Sequence, residues 1–115
     1  MKYLFSFLIS LLILIIVLIP GSNLPDVNFI GFDKIVHIGL FGLWALAIRH
    51  DFDKGSFNFF VAFIAGIAFS LFTEVLQLFV EGRSFDWFDM VADAIGLLIS
   101  LAIGGKILSL LGWKQ

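Results

Sequence analysis

Asp33, Lys34 and His37 share one helical turn. Glu74 and Gln77 stand three residues apart. Arg83, Asp86, Asp89 and Asp93 follow one another at intervals of three or four. Acids, a histidine and cations in such patterns support a small set of chemistries. Carboxylates with an imidazole hold a divalent cation, since hard oxygen ligands suit magnesium or manganese, and Asp33, His37, Glu74, Asp89 and Asp93 are the ligands on offer. A mixed set of both signs grips a polar headgroup, with Asp33, Lys34, His37, Glu74, Gln77, Arg83, Asp86, Asp89 and Asp93 as binding residues. His37, Glu74 and Asp93 can also exchange a proton with a bound group, the role of general acids and bases. The spacing matches no specific metal motif, and nothing calls for an organic cofactor.

These residues need elements to carry them, and the composition says what kind. Of 115 residues, 61% are hydrophobic and only 14% charged, with a mean hydropathy of +1.10. Soluble domains carry about a quarter of their residues as charges. A chain this short has much surface for its volume, so in water it would expose apolar side chains. A bilayer removes that cost. The expected fold is therefore all-α, an integral membrane bundle of four transmembrane helices in one domain spanning residues 1–115. A net charge of -2 gives no basic face for nucleic acid. The absence of cysteine excludes disulfides and thiolate chemistry.

Spanning takes roughly 20 apolar residues. The pattern predicts helices at about 3–19, 33–49, 57–80 and 86–111, with Pro20-Gly21 closing the first. The apolar run after Met1 and Lys2 lacks a small-residue cleavage pattern and reads as a retained helix rather than a signal peptide. His50 to Ser56 reads as a loop, with Asp51 an ordinary loop charge. Lys2, Arg49, Lys54, Lys106 and Lys114 on one side outnumber Lys34 and Arg83 on the other. That bias predicts N-in and C-in topology. Tyr3, Trp87 and Trp113 fall at helix ends, as interfacial aromatics do.

This topology gathers the unusual polar residues at the outer side of the membrane. Glu74 and Asp93 then lie about 9–10 Å inside their helix ends. A carboxylate facing lipid at the bilayer centre costs about 2.5–3.5 kcal/mol or more. Both must therefore face the bundle interior, pair with a partner or take up a proton. Asp86, Asp89, Asp93, Gly96, Ser100 and Gly104 form one stripe on the fourth helix, and Ala62, Gly66, Ser70 and Glu74 one on the third. Small residues at this spacing let membrane helices approach closely. Packing these stripes against Asp33 and His37 of the second helix would build a pocket open to the outside.

The same residues resemble a known family. Asp33-Lys34-Ile35-Val36-His37 matches a DKxxH signature, Glu74-Val75-Leu76-Gln77 an ExxQ element, and Arg83, Asp86 and Asp89 an RxxDxxD. Together they are similar to the VanZ-like family, from about Asp33 to Gly105 with a helix ahead of it. Asp93 stands where members usually have asparagine, and Ser100 where they often have glycine. The resemblance implies a small multi-helix membrane protein of the bacterial cell envelope, in a family named for a protein linked to low-level teicoplanin resistance. It implies no particular reaction. The expected function is binding of an envelope lipid, a glycopeptide antibiotic or a membrane protein partner through the outward pocket. A minimal membrane enzyme acting on a lipid-linked phosphate or sugar, and a small ion or solute carrier, are the alternatives.

Overall fold

The computed structural model describes residues 3–19, 32–52, 57–81 and 85–112. Four helices account for nearly all of them: α1 Leu4–Val17, α2 Phe32–Asp51, α3 Phe59–Gln77 and α4 Trp87–Leu110. No strand occurs among the described residues. The helices start where their caps dictate. The Asn58 side chain accepts the Val61 N–H at 3.1 Å, and Asp86 accepts the Phe88 N–H at 2.9 Å. Each satisfies one of the amide donors that a helix start leaves without an intrahelical acceptor.

α2 runs through Asp51, so the expected loop begins later than the polar composition of His50-Asp51 suggests. Asp51 is not an ordinary loop charge. It is buried, and its Oδ2 accepts the Ser6 backbone N–H in the first turn of α1 at 2.6 Å. α1 has no capping side chain of its own; a residue distant in sequence supplies one. Trp44 Nε1 donates to Ser10 Oγ at 2.9 Å one step further along the same contact.

α4 packs most closely along α2 and less extensively on α3, while α2 and α3 touch each other only slightly. The central contact is a close one. A Cβ on Gly96 would collide with the Ile38 carbonyl oxygen and meet the Gly42 nitrogen at 3.1 Å. Gly66 brings α3 against Leu97 and Trp44 in the same way. Ile13, Val17, Phe41, Trp44, Ala45, Ala62, Leu97 and Leu101 fill the middle of the bundle.

The burial pattern is inverted relative to a water-soluble bundle. On α3 the buried face is Ala62, Gly66, Ser70, Thr73, Glu74 and Gln77. Its large apolar residues point outward, with Phe60 74% exposed and Ile64 65%. α3 and α4 are long and apolar enough to cross a membrane. α1 is apolar with 14 residues, and α2 has 20 residues with charges towards both ends.

Candidate functional site

The N-terminal half of α2, the C-terminal end of α3 and the first turns of α4 meet in one polar layer. Lys34 leaves α2 and reaches α4, where its Nζ donates to Asp86 Oδ2 at 2.8 Å and to Asp89 Oδ1 at 2.6 Å. One turn deeper, His37 Nδ1 lies 2.7 Å from Asp93 Oδ1. Its other nitrogen, Nε2, lies 3.5 Å from Asp89 Oδ2. Asp89 therefore turns one oxygen to the ammonium and the other to the imidazole.

α3 contributes from the opposite side. Ser70 donates its hydroxyl to Asp93 Oδ2 at 2.6 Å, so both oxygens of this buried carboxylate are engaged. Thr73 donates to the Ser70 carbonyl at 2.7 Å. Glu74 Oε1 accepts the Asp86 backbone N–H at 2.9 Å. Asp86 thus fixes the start of α4 three times over: its side chain caps the helix, its amide is held by Glu74 and its carboxylate by Lys34. The lysine holds the Asp86 carboxyl below its ordinary range, because losing the negative charge would break that bond.

Glu74 and Asp93 are fully enclosed, and His37 and Asp89 nearly so. Among the described residues, the layer sets four carboxylates against one lysine and one histidine. Such groups stay buried only when hydrogen bonded and charge-compensated. Ligand atoms of His37, Glu74 and Asp89 all lie within 4.8 Å of one another.

The structure brings Lys34, His37, Glu74, Asp86, Asp89 and Asp93 into one layer. Gln77 is buried one turn beyond Glu74, and its Nε2 reaches the Val17 carbonyl of α1 at 3.4 Å. Arg83 and the side chain of Asp33 lie outside the described residues. Ser70 is a member that sequence reasoning undervalued. It stood in the small-residue stripe one turn before Glu74, and its hydroxyl holds Asp93 as well. The opposite end of α2 holds a second polar group, with His50 Nδ1 3.0 Å from Asp51 Oδ1 and Arg49 over the Phe57 ring at 4.3 Å. Only the Asp51 contact with α1 could have revealed it, and that contact has no local sequence signal.

No curated protein and no solved structure matches this sequence. A family model does: that of the VanZ/LLP1 family, over residues 3–108. The resemblance carried by the DKxxH, ExxQ and RxxDxxD elements thus extends over nearly the whole sequence, and the chain belongs to the VanZ/LLP1 family.

Proposed function

We propose that this is a multi-pass protein of the cell membrane, crossing it four times with both ends in the cytoplasm. In this reading its polar layer opens to the extracytoplasmic side and binds the headgroup of an envelope lipid. The carrying observation is the inversion on α3, where Ser70, Thr73, Glu74 and Gln77 are buried while Phe60, Val61, Ile64 and Phe72 are exposed. In water such a helix would turn over. In hydrocarbon it is the lower-energy arrangement, since polar side chains there face the bundle or a cavity.

Family membership and the two long apolar helices support the membrane location. α2, at about 30 Å, matches the hydrocarbon thickness, with Lys34 and Arg49 near its two ends. α1 spans about 21 Å as described, so its crossing relies on local thinning or on flanking residues. The depth of the polar layer suits a headgroup rather than an acyl chain. Lys34 can meet a phosphate or carboxylate, and the acids an ammonium.

Purification in a mild detergent followed by native mass spectrometry tests this. The wild-type protein should retain one lipid class in preference to the bulk membrane lipids. Lys34→Gln should lose that preference and some stability, because it uncouples Asp86 and Asp89, with the helical circular dichroism signal retained. Retention identical in both, or no preference in the wild type, would refute headgroup binding at this layer.

A minimal membrane enzyme is the second reading, favoured by the His37–Asp93 pair. A buried carboxylate on Nδ1 fixes the imidazole tautomer and readies Nε2 to accept a proton. Mass spectrometry of lipid-linked phosphates and sugars incubated with the protein should then show a product that His37→Gln abolishes.

A further inference from the structure

The polar layer contains a histidine oriented as a metal ligand from behind. Asp93 holds His37 Nδ1 at 2.7 Å, and Ser70 holds Asp93 in turn at 2.6 Å. With Asp93 ionised, Nδ1 keeps the proton and Nε2 presents its lone pair. Metal-binding histidines almost always have such a carboxylate or carbonyl behind them, which fixes the ring and raises its basicity. Nε2 lies 3.5 Å from Asp89 Oδ2, and an ionised carboxylate offers no proton.

The geometry points to a divalent transition-metal site formed by His37 Nε2, Glu74 and Asp89. This deepens the headgroup reading and rests on the same polar layer: the ion would give an acidic layer affinity for an anionic phosphate or carboxylate.

Three observations carry it. First, ligands about 2.1 Å from a tetrahedral metal lie about 3.4 Å apart, near the His37–Asp89 separation and too long for a good hydrogen bond. Second, His37, Glu74 and Asp89 each offer a ligand atom within 4.8 Å of the other two. The same tetrahedral spacing of about 3.4 Å is then reached by side-chain movements of about an ångström. Third, the residues come from three helices whose mutual positions are already fixed by Lys34, Asp86 and Gly96, so the site is preorganised. One imidazole with two carboxylates suits zinc or manganese better than calcium or magnesium. Lys34 occupies the other oxygen of Asp89, leaving that carboxylate a monodentate ligand.

The test uses full-length protein in detergent, stripped with a chelator and then titrated separately with zinc and cobalt(II). Zinc should bind at one ion per chain. Cobalt should give the strong visible bands of a four-coordinate site with nitrogen and oxygen ligands. Glu81→Gln, at an exposed acid, should leave both unchanged. Glu74→Gln should remove the stoichiometric site. Asp93→Asn, which keeps the size of the buried side chain, should weaken zinc by about 10–100-fold with the fold intact, as loss of a supporting carboxylate does. Zinc uptake no greater in the wild type than in Glu74→Gln, or a cobalt spectrum of the hexaaqua ion, would overturn the site. Native mass spectra of the same samples separate the two readings. A retained lipid with no metal would refute the ion and leave headgroup binding standing. Stoichiometric metal with no retained lipid would establish the ion and refute the headgroup.

Discussion

Replacing Gly96 by alanine should cost far more than its one methyl group suggests. The new Cβ would lie inside contact distance of the Ile38 carbonyl oxygen, with the Gly42 nitrogen 3.1 Å away. Both are backbone atoms of α2, so no side chain can rotate aside. Carbon and carbonyl oxygen normally approach no closer than about 3.3 Å, which requires α2 and α4 to separate by roughly 1 Å. Overpacking of this kind costs about 1–3 kcal/mol, and an unyielding backbone places the change in the upper part of that range. Gly39→Ala on α2 is the control, because a Cβ there meets nothing within 4 Å. Both changes gain the same helix propensity, about 1 kcal/mol, so their difference isolates the strain. At about 4–8 °C per kcal/mol in a chain of this size, Gly96→Ala should melt roughly 10 °C or more below Gly39→Ala in a common detergent. The site should suffer with the packing. The Lys34–Asp89 and His37–Asp93 contacts at 2.6 and 2.7 Å cross the same interface, and an added ångström would stretch them beyond hydrogen-bonding range. Gly66→Ala should fall between the two, since it meets the Leu97 side-chain carbons at 2.6 Å. Melting temperatures for Gly96→Ala and Gly39→Ala within about a degree of each other would refute the close α2–α4 contact.

Asp93→Asn should leave thermal stability nearly unchanged, because an amide can accept from Ser70 while donating to His37. Asp93→Leu strands both partners and should cost about 2–6 kcal/mol, two unsatisfied buried groups at about 1–3 each; denaturation of the two variants side by side checks this. Asp51→Ala should loosen the start of α1 by about 1–2 kcal/mol, the value of a helix cap, seen as faster amide exchange at Ser6 than in Asp51→Asn. Leu12→Ala, at an exposed apolar position, should melt within a few degrees of the wild type, and a loss as large as that from Gly96→Ala would place Leu12 in the core. Single cysteines at Ser22 and Ser56 report topology: an impermeant reagent on intact cells should label Ser22 and spare Ser56, and the reverse result would invert the proposed orientation.

What the sequence determined by itself follows from composition and period. Four apolar segments parted by Pro20-Gly21, by Gly55 and by Glu81-Gly82 define the helices, because backbone satisfaction in an apolar setting leaves little else to form. The three- and four-residue steps from Asp86 to Gly104 and from Ala62 to Glu74 placed those residues on inward faces, because 3.6 residues make a turn. Tertiary structure decided who meets whom. Periodicity gives a helix a polar face but not its neighbour. That α4 sits on α2, so that Lys34 bridges Asp86 and Asp89 and Asp93 stands behind His37, depends on the glycine contact at Gly96 and Ile38. Likewise no local pattern marks Asp51 as the cap of α1. The bond joins residues 45 positions apart, and a partner at that separation is chosen by the packing of whole helices.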